Sequence, residues 1–104
     1  MTDAYILGLD IGSVAAAAVV VDRKGGILQT AYEFHQGDIP GCLARLLADV
    51  DLASIAGVAA TADTSGMVAA DRRYDQQIAL IRTAKAFHPE AGGILSVGGE
   101  KFKL

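Results

Sequence analysis

Asp10 closes the apolar run Tyr5-Ile6-Leu7-Gly8-Leu9 and is followed at once by Ile11-Gly12-Ser13. A carboxylate at the mouth of a strand, beside a glycine–serine turn, brings two chemistries together. The backbone N–H groups of such a turn form an anion cradle, and the adjacent carboxylate holds a divalent cation through water. Asp10, Gly12 and Ser13 are therefore candidate phosphate-binding residues, and Asp10 is also the candidate ligand for Mg2+. Near the other end of the chain, Gly93-Ile94-Leu95-Ser96-Val97 runs into Gly98-Gly99-Glu100. A glycine pair at a strand end lets backbone approach a ligand closely, so Gly98 and Gly99 join the candidate set.

The remaining reactive side chains read differently. Asp63, within Ala62-Asp63-Thr64-Ser65-Gly66, reads as an Asx-type turn. Cys42 lies at helical spacing beside Leu43 and Leu46 and is expected in the core. His35 and His88 have no second metal-ligand residue at useful spacing and are expected on the surface, with Glu33, Arg72 and Arg73 as solvated charges. No side chain stands out as catalytic.

The elements that must position these residues alternate between strand and helix. Residues 5–10 read as a strand buried on both faces, 15–22 as its apolar partner and 27–34 as a half-exposed third strand, together an antiparallel meander. Asp38 and Pro40 open a helix carrying Ile39, Leu43, Leu46, Leu47 and Val50 on one face. A short buried strand is expected at 55–61 and a second helix at 75–88, with Leu80, Ile81, Ala84 and Phe87 facing the core. A last strand at 93–97, made parallel to the first by the right-handed crossover rule, completes a mixed five-stranded sheet. This is the order of a ribonuclease H-like α/β fold. It would gather Asp10, residues 61–63 and Gly98-Gly99 at one sheet edge, where open α/β sheets bind ligands.

Composition narrows the classes of function. At 104 residues the chain is one domain. The net charge of -3 and pI of about 5.1 argue against nucleic acid or an anionic membrane as partner. One cysteine excludes an internal disulfide framework and suits the cytoplasm. Mean hydropathy is +0.36 with 52% hydrophobic residues, which is high for a small soluble domain and implies apolar surface that other chain covers.

Ile6-Leu7-Gly8-Leu9-Asp10-Ile11-Gly12-Ser13 resembles the first phosphate motif of the actin-like ATPase superfamily, and Ile94-Leu95-Ser96-Val97-Gly98-Gly99-Glu100-Lys101-Phe102 resembles the second. The detailed form is most similar to the ATPase activators of 2-hydroxyacyl-CoA dehydratases and the ATPase subunits of benzoyl-CoA reductases, including the long CoA-substrate-specific activases. Ala56-Gly57-Val58-Ala59-Ala60-Thr61 and Tyr74-Asp75-Gln76-Gln77-Ile78 fall where that family places its own strand and helix. The resemblance implies an ATP-driven electron pump. ATP and Mg2+ would bind between two lobes, and a [4Fe-4S] cluster would be shared across a homodimer. A ferredoxin or flavodoxin would supply the electron, and an acyl-CoA dehydratase or reductase would receive it. By position, Asp10 would hold Mg2+ through water, Gly12 and Ser13 would cradle phosphate, and Gly98, Gly99 and Glu100 would approach from the opposite strand end. Residues 1–104 would be the N-terminal subdomain, without the cluster. The sequence departs from the family pattern at Ala15-Ala16-Ala17-Ala18, where many members carry a lysine, at Ser96, and at Glu100-Lys101.

Two further readings share the fold. A Holliday-junction resolvase-type nuclease also opens with Leu-Gly-Leu-Asp-x-Gly and would draw Asp10, Asp63 and Glu100 around metal ions. A regulatory module would keep the fold without the ATPase chemistry.

Overall fold

The computed structural model describes residues 4–62, 64, 68–90, 92–93, 96–97 and 102–103. Strands β1 (Tyr5–Ile11), β2 (Ala15–Val21) and β3 (Ile27–Phe34) form the meander, followed by helix α1 (Ile39–Leu46) and a single 3-10 turn at Leu52–Ser54. Then come β4 (Ile55–Thr61), β5 (Arg72–Tyr74), helix α2 (Gln76–Phe87) and a small hairpin of β6 (Ser96–Val97) and β7 (Phe102–Lys103). The five-stranded sheet runs β3-β2-β1-β4-β5. β2 is antiparallel to both β1 and β3, whereas β1 with β4 and β4 with β5 are parallel. The expected mixed five-stranded sheet is present.

Aspartates set most of the boundaries. Asp22 Oδ1 accepts from Lys24 N and Gly26 N at 2.9 and 2.8 Å, closing the β2–β3 turn in which Gly25 takes a φ of +84°. Asp38 caps α1 by accepting from Gly41 N at 3.1 Å, with Pro40 in the first turn. Asp75 caps α2 through Gln77 N and Ile78 N, and Pro89 follows the helix end.

The strand pleat divides the sheet into two unlike faces. Leu7, Leu9 and Ile11 of β1, Ala16, Ala18 and Val20 of β2, and Ala60 of β4 are buried with Cys42 and Leu46 of α1 in one core. Residues 5–10 are thus not buried on both faces. Gly8 and Asp10 point the other way and are only half-buried, and Ile6 is exposed. The helix is also shorter than its apolar spacing implies. It is capped at Leu47, and Val50 packs against the core from beyond it.

Two expectations are corrected. The fifth strand is Arg72–Tyr74, before α2, while Ser96–Val97 pairs antiparallel with Phe102–Lys103 outside the sheet. The short β5 satisfies the backbone of the outer edge of β4, and that edge is therefore taken before the chain reaches residue 93. The apolar face of α2 is not core either, since Ile78, Leu80, Ile81 and Phe87 are all exposed. Among the described residues no helix is long and apolar enough to cross a membrane.

Candidate functional site

Because β1 and β4 are parallel and Leu9 pairs with Ala60, their C-terminal ends share one sheet edge, with Asp10 next to Thr61. Thr61 Oγ1 donates to Asp10 Oδ1 at 2.9 Å. Thr61 Oγ1 and Thr64 Oγ1 are 2.8 Å apart, and Ile11 N donates to Thr64 Oγ1 at 3.1 Å. A carboxylate only accepts, a backbone N–H only donates, and each hydroxyl has one proton. The chain is therefore fixed in direction: Ile11 N–H to Thr64, Thr64 O–H to Thr61, Thr61 O–H to Asp10. Its members polarise one another and hold the carboxylate in one rotamer. Thr64 is itself buried and tied from behind by Arg73, whose guanidinium donates to the carbonyls of Thr64 and Val68.

On the other side of Asp10, Gly12 N donates to Ala15 O at 2.9 Å and closes the β1–β2 turn. That N–H is spent within the turn. Ser13 is exposed, and its N–H makes no hydrogen bond among the described residues. Ser13 N–H and its hydroxyl are free donors that the turn presents beside Asp10. Of the residues named from sequence, Asp10, Gly12, Ser13 and Thr61 come together. Gly98, Gly99, Glu100 and Asp63 lie outside the described residues.

A cleft of about 660 Å³ opens on the face of the sheet opposite α1. Gly8, Ala17 and Ala59 form its floor, Ala79 and Thr83 of α2 line it, and Asp10 stands at its polar end. Among the described residues, no three or more His, Cys, Asp or Glu side chains are grouped to hold a metal ion. Asp10 Oδ2 has no partner among them. A single open carboxylate fits Mg2+, which keeps most of its water and is held by one or two carboxylates together with substrate phosphate.

His35 is the residue whose reading changes most. Expected on the surface, it is buried at the end of β3, where Gly37 N donates to its Nδ1 at 3.0 Å and its Nε2 lies 2.9 Å from Gly12 O. It lies behind the Gly12-Ser13 turn, outside the cleft lining. The one signal for it was a polar ring at a strand end, two residues before a glycine that takes a φ of +84°. Cys42 is fully buried against the sheet, as expected of a core residue.

This strand order, with a meander followed by crossover elements and a carboxylate at the β1 edge, is that of a ribonuclease H-like α/β fold. The same fold is found in the activator of the 2-hydroxyisocaproyl-CoA dehydratase from Clostridium difficile, solved with bound ADPNP, at a TM-score of 0.75 and 23% identity. The match covers 91% of this chain and 38% of the activator, so this chain spans well under half of that protein's length. At that identity the likeness is one of fold. No protein-family profile and no curated protein matches the chain.

Proposed function

We propose that this chain is the phosphate-binding N-terminal subdomain of an activator-type ATPase. Such a protein couples ATP hydrolysis to the transfer of a low-potential electron into a 2-hydroxyacyl-CoA dehydratase or benzoyl-CoA reductase-type enzyme. The observation that carries the reading is the pairing of a rotamer-locked Asp10 with the open Ser13 N–H at the edge of a sheet shared with a nucleotide-binding activator. The two phosphate motifs read from sequence support it independently.

In this reading Asp10 orients the water shell of Mg2+, and Ser13 N–H and Oγ–H donate to a phosphate oxygen at the turn. Phosphoryl transfer depends mainly on positioning and charge neutralisation, and a locked carboxylate beside fixed donors provides both. Gly98, Gly99 and Glu100 would close on the phosphates from the opposite side. The residues of this chain do not fit a [4Fe-4S] cluster, because its one cysteine is sealed between the sheet and α1. Cluster, homodimer contact, the ferredoxin or flavodoxin donor and the acyl-CoA enzyme are assigned to the whole cytoplasmic protein, of which this chain supplies one wall of the nucleotide site.

One wall binds weakly, with a dissociation constant on the order of millimolar for Mg·ADPNP. Titration of Mg·ADPNP into the 15N-labelled chain is expected to shift the amides of residues 10–14 and 61–64, and Asp10→Asn should remove the Mg2+-dependent part. Unmoved amides in that region would overturn the reading. Cleavage of branched DNA that Asp10→Asn abolishes would replace it with the nuclease reading.

A further inference from the structure

His35 touches neither Asp10 nor the cleft, yet its Nε2 is engaged at the turn beside them, while its Nδ1 is held by its own loop. Gly37 N–H donates to Nδ1 at 3.0 Å, so Nδ1 carries the lone pair and Nε2 carries the proton. Nε2–H then donates to Gly12 O at 2.9 Å. Both partners demand the same neutral tautomer. The ring is clamped from its own side as well. Asp38 N donates to His35 O at 2.8 Å, His35 N donates to Val14 O at 3.1 Å, and Gln36 and Gly37 both take left-handed backbone.

Gly12 C=O and Ser13 N–H belong to one peptide unit, which is planar and trans, so the two bonds point in opposite directions. Drawing the Gly12 carbonyl toward the ring therefore turns Ser13 N–H away from it, outward from the turn. Gly12 N is fixed by Ala15 O and Val14 O by His35 N, while the His35 ring is what holds the peptide between Gly12 and Ser13. Gly12, which has no Cβ, leaves that peptide wide conformational freedom. We propose that His35 is a positioning residue of the phosphate cradle: its Nε2–H sets the peptide plane between Gly12 and Ser13 and so presents Ser13 N–H to an anion. This inference rests on the phosphate reading of the turn.

Two substitutions separate the ring's two jobs. A glutamine amide N–H reaches where Nε2–H stands, whereas an asparagine oxygen replaces Nδ1 and falls short of Gly12. His35→Gln keeps the donor to Gly12 O and loses the acceptor for Gly37 N; His35→Asn does the reverse. Each removes one hydrogen bond from a buried ring, so the two should lose similar stability in urea. The probe is inorganic pyrophosphate with Mg2+, titrated into the 15N-labelled chain and followed at the Ser13 and Val14 amides. Wild type and His35→Gln should bind alike. His35→Asn should bind about tenfold more weakly, as the loss of one preset hydrogen-bond donor implies. Ring 15N shifts of the wild type should report the Nε2–H tautomer. If wild type and His35→Asn bind equally, or if affinity merely follows stability across the three, the role assigned to His35 is overturned while the cradle stands. If wild type itself leaves Ser13 unshifted, the cradle and the role fall together.

Discussion

Thr61→Val tests the directed chain behind Asp10. Valine keeps the shape of threonine and removes only the hydroxyl, so the backbone of β4 and its pairing with β1 stay in place. What is lost is the donor to Asp10 Oδ1 and the acceptor for Thr64 O–H. A hydrogen bond to an ionised group contributes about 1.5–3 kcal/mol. Asp10 keeps one oxygen open to water, which places this bond toward the lower end. Thr64 is buried, so stranding its hydroxyl adds to the cost. Together these give about 2 kcal/mol of destabilisation. With an m-value of about 1–2 kcal/mol/M, the urea midpoint should fall by about 1–2 M.

Two comparisons make the result specific. Thr61→Ser retains the hydroxyl and should stay close to wild type. Thr64→Val should cost at least as much as Thr61→Val, because it leaves the backbone N–H of Ile11 without its acceptor. A double-mutant cycle of Thr61→Val with Asp10→Ala should give a coupling energy of about 1–2 kcal/mol. A midpoint for Thr61→Val within about 0.5 kcal/mol of wild type, or strict additivity with Asp10→Ala, would refute the chain as drawn.

The two faces of the molecule should respond oppositely to substitution. Leu46→Ala empties a buried position between α1 and the sheet and should cost about 2–5 kcal/mol in urea unfolding, whereas Ile81→Gln on the exposed flank of α2 should stay within about 0.5 kcal/mol. Cys42→Ser buries a hydroxyl in the sheet–helix core and should cost about 1–3 kcal/mol; in the native chain this thiol should resist labelling by a maleimide until the chain unfolds. Gly8→Ala should destabilise, because the new Cβ would stand 3.0 Å from Val19 Cγ1, and combining it with Val19→Ala should remove that penalty.

The sequence made the local part of this fold legible and the long-range part less so. Asp38 and Asp75 mark their helix starts because an N-cap acts within three residues, and Asp22 closes its turn for the same reason. The three residues of β5, Arg72-Arg73-Tyr74, carry no period-two pattern and are all exposed. They become a strand only by pairing with Ala59, Ala60 and Thr61. The apolar spacing of α2 is a true helical signal, yet spacing states which residues share a face and not whether anything packs there. The burial of His35 is not legible in the sequence, because its partner Gly12 lies 23 positions away and is a backbone carbonyl, which leaves no mark on composition or spacing.

Asp10 stands out in the sequence as a candidate, but an expectation of a strand buried on both faces leaves out how the strand aims it. In Leu7-Gly8-Leu9-Asp10-Ile11 the odd positions are large and apolar and the even ones are glycine and aspartate. Strand period two sends Leu7, Leu9 and Ile11 into the core with Leu46, and leaves Gly8 and Asp10 on the face that opens into the cleft. Ala17 of β2 and Ala59 of β4 continue that face with equally small side chains, so the carboxylate stands at the end of a floor that admits a ligand. A slip of one residue in the β1–β4 register would exchange these faces, burying Asp10 against α1 and turning the leucines to the cleft. Burial of Leu7, Leu9 and Ile11 therefore fixes the register of β1, and that register is what sets Asp10 beside Thr61. The same apolar residues that stabilise the core thus aim the Asp10 carboxylate. Aspartate at position 10 requires leucine at positions 7 and 9 as much as it requires the Gly12-Ser13 turn that follows it.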